Sequence, residues 1–300
     1  MTDRQPPVSE TRNGALELPH DVGGPGTGVA ARIRGFGGIA VHAALAPVYR
    51  VYAAQLRSEI LSQPVPHHVA LIMDGNRRWA RQVGLTSPKA GHEFGADKAI
   101  ELLDWCAALG IGEVTLWALS LENLERSPEE VEAITEIAAS TLEALAARDK
   151  VRRLAMSLRV IGRRELLPDR LREAVERAEA ETRGRPGLAV NLALGYSGRD
   201  ELVEASRAAV RELVAEGTNP SDLADALTAD RLASHLYTRG SPDPDLIIRT
   251  SGEVRLSGFL PWQSAFSEYY FCEAYWPAFR EIDFLRAIRT YQQRARRFGR

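Results

Sequence analysis

The chain is poor in several things, and each shortage excludes something. Its 300 residues include only two cysteines, Cys106 and Cys272, far apart and with no CxxC pair. A disulfide framework is therefore out, and two ordinary buried thiols in a reducing compartment fit. No run of about 18 apolar residues occurs, so there is no transmembrane-helix candidate. Neither sign of charge dominates: the formal net charge is −2. That argues against a whole-protein electrostatic grip on nucleic acid and leaves at most peripheral contact with a membrane. The N-terminus lacks the basic-then-apolar layout of a secretion signal, which makes a cytoplasmic protein the expectation. There is no internal repeat, no G-x-x-x-x-G-K-[ST] loop, and no G-x-G-x-x-G after a strand, so the standard nucleotide-phosphate cradles are missing.

What is present falls into three parts. Residues 1–36 are rich in Gly and Pro, too polar to bury a core, and are expected to be disordered. Residues 37–64 carry apolar positions at helical spacing, with Pro47 as a kink, and read as a helical lead-in. From 65 to 300 strand and helix signals alternate. "HVALIM", "EVTLWALS", "LRVIG", "LAVNLALGY", "DLIIRT" and "SEYYFCE" read as strands. Between them "GADKAIELLDWCAALG", "SPEEVEAITEIAASTLEALAA", "PDRLREAVERAEAET", "RDELVEASRAAVRELVAE" and finally "DFLRAIRTYQQRARRF" read as helices. Ser127, Pro128 and Glu130 make a capping box at the second of these helices. The pattern predicts one α/β domain with a mostly parallel sheet covered on both faces.

Ligands of such sheets bind beyond the carboxyl ends of the strands, and three strand ends here carry unusual polar sets. They are Asp74-Gly75-Asn76-Arg77-Arg78; Ser120-Leu121-Glu122-Asn123 with Arg126; and Arg249-Thr250-Ser251-Gly252-Glu253 with Arg255 and Ser257. The arginines offer forked donors suited to phosphate oxygens. Gly75 lets backbone amides approach closely just before a helix start. The combination suits a phosphate or diphosphate. Asp74, and a second carboxylate such as Glu268, would then suit Mg²⁺, which takes one or two protein carboxylates and fills its shell from phosphate and water. Taken singly, each residue has a plainer role: Asp74 as a helix cap, Asn123 as a turn residue, His92 as a core histidine, Glu268 as an arginine's partner.

The same segments resemble the cis-prenyltransferases, the family of undecaprenyl diphosphate synthases. The match runs from about His68 onward through "HVALIMDGNRRWA", "LSLENLERSPEEV", "LGYSGRDELVEA", "DLIIRTSGEVRLSGFLPWQSAFSEYYF", "WPAFREIDF" and "RRFGR". The lead-in and the "SGEVRLSGF" region are most similar to short-chain Z-farnesyl diphosphate synthases. The resemblance implies condensation of isopentenyl diphosphate with an allylic diphosphate, geranyl or farnesyl, to form a new cis double bond. It implies that Asp74 and Glu268 hold Mg²⁺. Gly75, Asn76, Arg77, Arg78, Trp79 and His92 would surround the allylic diphosphate. Ser120, Leu121, Glu122, Leu124 and Arg126 would form a second substrate-contacting loop, and Arg249, Arg255, Leu256 and Ser257 would bind isopentenyl diphosphate. Asn123 matches the position given the proton-acceptor role, for which a neutral amide is a poor base. A homodimer is implied, with Arg297-Phe298-Gly299 reaching the neighbouring site.

Three positions depart from the family pattern. Lys89 stands near where an arginine is usual, Leu124 where long-chain members often carry Trp, and Val254 where some relatives have His. The expected product is short, with a long-chain undecaprenyl or decaprenyl diphosphate as the alternative; Leu116, Trp117 and Leu119 are candidates for the tunnel floor, and Ala118 could leave a path open. Two rivals are weaker. A non-catalytic partner subunit would tend to lose the acid or arginines of the first turn, and a diphosphate hydrolase would need a His or Glu pair to position water.

Overall fold

The computed structural model describes Tyr49 and residues 51–85, 87–147 and 149–295. The chain divides after residue 50, and the elements below belong to the larger unit. Residues 1–36, most of the lead-in before 51, and Arg297-Phe298-Gly299 lie outside the described residues.

Six short strands form one sheet, every pairing parallel: β1 (His68–Ile72), β2 (Glu113–Ser120), β3 (Ser157–Ile161), β4 (Ala189–Tyr196), β5 (Leu246–Arg249) and β6 (Glu268–Phe271). The order is β3-β4-β2-β1-β5-β6, so all six strands anticipated from sequence are present. From β1 the chain moves to β2 on one side, while β5 takes the other. The carboxyl ends of β1, β2 and β5 therefore border one crevice, the topological position where such sheets bind ligands.

The larger core lies on the sheet face that carries Val69, Leu71, Leu116 and Ile248. Against this face pack α1 (51–61), α3 (Pro88–Leu109), α4 (Pro128–Ala147), α6 (Asp169–Thr182) and α10 (Glu281–Ala295). Leu56 and Ile60 of α1 are fully buried, Arg57 pairs with Glu281, and Gln292 donates to the Ile60 carbonyl at 2.9 Å. The described part of the lead-in is thus built into the unit. The opposite face carries Ala70, Ile72 and Ile247 under an aromatic cluster in which Trp117 stacks on Phe259 with centroids 5.1 Å apart. Short α2 (Asn76–Gln82), α5 (Asp149–Arg153), α8 (Leu223–Ala226) and α9 (Ala229–Ser234) join the longer α7 (Gly198–Ala215) to complete the helices.

Helix α3 begins earlier than the apolar periodicity suggests, which starts at Gly95. The Ser87 hydroxyl accepts from the Lys89 amide at 3.2 Å and Pro88 fills the first helical position, two start signals that act without apolar residues. The two glycines of its first turns are there for space. A Cβ on Gly91 would lie 2.5 Å from the Asn76 carbonyl oxygen, and one on Gly95 2.3 Å from Asn76 Oδ1. Only glycine lets α3 sit this close to α2.

At the amino ends of the strands a sealed polar chain locks β1, β2 and β4 together. His68 Nδ1 faces the Pro242 carbonyl at 2.7 Å, and a carbonyl only accepts, so that nitrogen carries the proton. Burial holds the ring's pKa down, against the pull of Glu113, so the ring is neutral and Nε2 accepts from Thr115 Oγ1 at 2.8 Å. Asn191 Nδ2 donates to Thr115 Oγ1 at 3.2 Å and to Glu113 at 2.5 Å. Replacing Asn191 by Leu strands the Glu113 carboxylate and takes away the donor to the Thr115 hydroxyl. Urea unfolding should show a loss of about 1–3 kcal/mol, the cost of a buried polar group without its partner; an unchanged midpoint would mean the chain is slack.

Candidate active site

Asp74 stands two residues past β1 and is held from both sides. Its backbone amide donates to Thr250 Oγ1 at 3.0 Å, and its carbonyl accepts from that hydroxyl at 2.7 Å and from the Trp276 amide at 3.0 Å. Its carboxylate takes Arg249 Nη2 at 2.8 Å and Arg78 Nη2 at 3.1 Å. Burial alone would raise this carboxyl's pKa. Hydrogen bonds from Arg249 and Ser251, with Arg78's charge and hydrogen bond, overcome that and set it below the ordinary value. The acid is thus ionised, part-exposed and aimed into the crevice.

Arg249 is the buried member of the pair, with a side chain only 5 % exposed. Its second terminal nitrogen donates to Ser257 Oγ at 2.8 Å and to the Arg255 carbonyl. The loop that carries these partners is shaped for the task. Ser251 and Ser257 both adopt positive φ, 83° and 53°, a left-handed conformation that non-glycine residues rarely take and that clusters at binding loops. Glu253 accepts from Arg78 at 3.0 Å and pairs with Arg255, and these cations hold its carboxyl below the usual range.

The first turn follows directly. Gly75 has φ 109°, and a Cβ there would meet Tyr275 Cδ1 at 2.6 Å, so no other residue fits. The Arg78 guanidinium lies 5.4 Å over the Tyr275 ring. Across the crevice, Arg126 and Arg77 both donate to one oxygen of Glu130, at 2.8 and 3.3 Å. Expected as half of a capping box, Glu130 contributes only its amide, 3.4 Å from Ser127 Oγ; its carboxylate turns to the two arginines. His92 lies among these charges. Burial, then Arg126, lower its pKa to about 4, with Glu130 opposing and Arg77 adding, so the ring is neutral.

These groups line a basin that takes in Asp74, Gly75, Asn76, Arg77, Arg78, His92, Ser120, Asn123, Arg126, Arg249, Arg255 and Ser257. All three polar strand ends contribute. Arg81 and Glu253 join them. Sequence reasoning gave Arg81 no role and Glu253 only a place in a polar set, although Arg81 follows Arg77 by one helical turn. Asn76 Oδ1, His92 Nε2 and Arg249 Nε are buried without a protein hydrogen-bond partner.

An apolar tunnel opens from the basin, and Met73, Asn76, His92 and Ala118 line both spaces. It follows α3 and α4 away from the crevice. From Ile134 to Leu145 along α4 is about 16 Å at the rise of an α-helix, and Leu103, Leu142, Leu145 and Leu192 close the distant part. Of the three floor candidates, only Leu116 lines the tunnel. Trp117 projects from the other sheet face onto Phe259, and Leu119, beyond a register shift in β2, borders the basin instead.

Several of the expected site residues lie off the basin lining or are engaged elsewhere in this chain. Trp79 packs edge-on to Phe94 at 4.9 Å rather than lining the basin. Glu122 is exposed, Leu121 and Leu256 are half-buried beside the basin lining, and Leu124 packs toward the core near Gly195. Lys89 pairs with Glu93 at 3.9 Å, outside the basin. Asn123 Oδ1 accepts from the Ser120 amide at 3.3 Å while Ser120 Oγ accepts from the Asn123 amide at 3.2 Å, a reciprocal cap that commits its carbonyl. The expected metal pair is not brought together within one chain: Glu268 opens β6 level with Leu246, at the amino end of the sheet, and accepts from Arg294 at 3.1 Å. Parallel strands with Asp74 past one end and Glu268 at the other cannot bring the two carboxylates together within one chain.

The Asp74 interactions predict a definite pH dependence. A carboxyl with a depressed folded-state pKa contributes its full stability above the unfolded value, 3.8, and loses it as pH falls through the folded value. The stability gap between the native protein and Asp74→Asn should be flat from about pH 5 upward and close below about pH 3.8. Chemical denaturation across that range checks it; a gap that changes around neutrality would show another group in control.

Comparison with known proteins bears directly on this geometry. The family model described as "Putative undecaprenyl diphosphate synthase" matches residues 72–299. An isoprenyl transferase of Thermus thermophilus is 50 % identical over 85 % of this chain and 96 % of its own length. Two proteins named (2Z,6E)-farnesyl diphosphate synthase are similarly related. That of Thermobifida fusca is 53 % identical over 84 % of this chain and 97 % of its own; that of Mycolicibacterium smegmatis is 48 % identical over 84 % and 96 %. The crystal structure of lavandulyl diphosphate synthase from Lavandula x intermedia, in complex with dimethylallyl diphosphate, superposes with a TM-score of 0.69 at 33 % identity, covering 76 % of this chain and 95 % of that one. With a cationic basin that leads into an apolar tunnel, and with relatives matched over nearly their whole length, this chain belongs to the undecaprenyl diphosphate synthase family and is a cis-prenyltransferase.

Proposed function

We propose that this enzyme condenses isopentenyl diphosphate with an allylic diphosphate, geranyl or farnesyl, in a Mg²⁺-dependent reaction that yields a short Z-isoprenyl diphosphate, most simply (Z,E)-farnesyl diphosphate. The observation that carries the reading is the joined pair of spaces: guanidiniums grip a polyanion at one end, and the chain attached to it enters a dry tunnel at the other. The length of the tunnel suits a few isoprene units rather than a polymer of fifty carbons.

The residues divide the work. Arg77, Arg78 and Arg126 face the first substrate and stabilise charge that builds on the leaving diphosphate as the allylic C–O bond breaks. Arg249, Arg255 and Ser257 hold the diphosphate of the second substrate, whose double bond attacks the allylic carbon. A proton then leaves. Asn123, a neutral amide whose oxygen already accepts from the Ser120 amide, is a poor base, and His92, held neutral with so low a pKa, is a weak base. The leaving diphosphate is the stronger acceptor at hand.

The donor set also fits Mg²⁺. Asp74 offers an ionised, part-exposed carboxylate at the basin, and among the described residues no group of three His, Cys, Asp or Glu side chains forms a cage of its own. That is what an ion carried largely by substrate phosphate and water requires. Such an ion supplies Lewis-acid stabilisation of the departing diphosphate.

A second copy of the chain has a natural place. Edge strand β6 carries stacked Tyr269 and Phe271, and Phe266 just before it is 90 % exposed. A homodimer through this edge would cover that apolar surface. Glu268 lies on the same strand, so any metal role for it would run through that second copy. A cytoplasmic location with at most peripheral membrane contact remains the proposal; among the described residues no helix is long and apolar enough to cross a membrane.

Purified enzyme, incubated with Mg²⁺, isopentenyl diphosphate and each allylic starter, should give chiefly a fifteen-carbon product from geranyl diphosphate by mass spectrometry, and nothing after metal removal with EDTA. A ladder to fifty carbons would refute the short-chain part alone. Arg255→Ala should raise KM for isopentenyl diphosphate by about tenfold or more, as loss of a charged hydrogen bond of about 1.5–3 kcal/mol implies. KM for the allylic starter should move much less. Equal effects on both substrates would contradict the two-site division.

A further inference from the structure

The tunnel is not bounded equally on all sides. Toward the sheet it meets β2 and β4, and at its distant part a layer of leucines. Toward solvent it meets the seam between α3 and α4, where a separate outer groove runs along the surface. Ala96 and Ile100 of α3, with Ile137 and Thr141 of α4, line both the tunnel and that groove. Each pair is spaced i, i+4, so each helix presents one short ridge to the seam. All four residues are half-buried, whereas Leu142 and Leu145 on the inner side are buried and Ser140 and Ala144 on the outer side are exposed. The wall here is one side chain thick.

Its chemistry fits that position. Thr141 donates its hydroxyl to the Ile137 carbonyl at 2.6 Å, so its polar atom is spent inside α4 and the methyl group is left for the seam. Ala96 is small and contributes little bulk, which leaves Ile100 and Ile137 as the filling. Outside the wall the groove turns polar, with Lys89, Glu93, Asp97 and Glu136. A hydrocarbon that passed between the helices would meet water and charges.

We propose that Ile100 and Ile137 are specificity-determining residues, a lateral plug that keeps the growing chain on the axis toward the leucine floor and thereby limits its length. The inference rests on the prenyl-transfer reading above. The floor alone does not bound the product: a chain blocked ahead but open at the side could continue through the seam. Isoleucine suits a plug better than leucine, because branching at Cβ leaves a single favoured rotamer on a helix and so a stiff side chain.

The test is the product distribution of the full-length enzyme with Mg²⁺, geranyl diphosphate and excess isopentenyl diphosphate. In Ile100→Ala/Ile137→Ala the main product should lengthen by at least one five-carbon unit. Adding Ser140→Trp, which refills the seam from the groove side, should restore the native pattern, while Ser140→Trp alone should change nothing. If the double variant does not fold, Ile137→Val carries the test. Removal of one methylene at a hydrophobic wall changes discrimination by about tenfold or more, and the fraction of longer product should rise accordingly. A folded, active variant with the native product pattern would overturn the plug. So would lengthening that Ser140→Trp fails to reverse, since that would place the gain inside the tunnel. A native enzyme that forms no condensation product at all would instead sink the reaction assigned to it.

Discussion

The pairing of Arg249 with Asp74 is the constraint from which the rest of the site follows. A guanidinium almost sealed from water is costly unless it is paired, and here its two terminal nitrogens find the Asp74 carboxylate, the Ser257 hydroxyl and the Arg255 carbonyl. Those partners come from two different segments. The pair therefore fixes the β1 turn against the loop after β5, and with it the distance between two groups of phosphate-binding donors. Thr250 repeats the linkage one residue later through the Asp74 backbone. A site that must align two diphosphates gains from such fixed framing, because misplacement by an ångström removes much of the advantage of holding reactants together.

The same pairing settles how so many like charges coexist. Arg77 and Arg126 share Glu130, Arg78 lies between Asp74 and Glu253, and Arg255 leans on Glu253. Each guanidinium has five donors and spends few of them on these carboxylates. The basin stays positively charged overall: among the described residues six arginines line it, and three carboxylates, Asp74, Glu130 and Glu253, pair with five of them. Internal anions thus orient the cations without saturating them, and electrostatic stabilisation of a leaving group depends on that preorganisation.

How much of this was legible in the sequence follows from what each feature requires. The strands were readable because each is a short apolar run between turn signals, and the polar sets at three strand ends pointed to the crevice, since open sheets place ligands there. The capping role of Ser127 and the stop at Gly110 were also local, and both occur. What the sequence hides is non-local. Whether Glu268 reaches Asp74 depends on strand register, which no run of residues declares. Trp117 and Leu116 are neighbours in sequence yet face opposite sides of the sheet, so a floor for the tunnel could not be chosen without knowing which face held it. Glu130 fits a local capping rule well enough to hide its long-range partners, and Asn123 hides the converse, a catalytic-looking amide whose carbonyl serves a local cap.

The separation of the two spaces carries the final step. The basin is cationic and open, the tunnel apolar and narrow, and among the described residues Met73, Asn76, His92 and Ala118 border both. A neutral His92 is the imidazole state that such a border requires. A charged ring would add a third cation beside Arg77 and Arg126 and would draw water to the tunnel mouth. Burial and its cationic neighbours keep the ring uncharged, so the position serves both sides: it offers a hydrogen-bonding nitrogen toward the basin chemistry and an uncharged ring face to the hydrocarbon. The gradient from charge to apolar surface across these four residues is what lets one end of a substrate stay gripped while the other extends, and the side wall at Ile100 and Ile137 decides whether that extension remains dry.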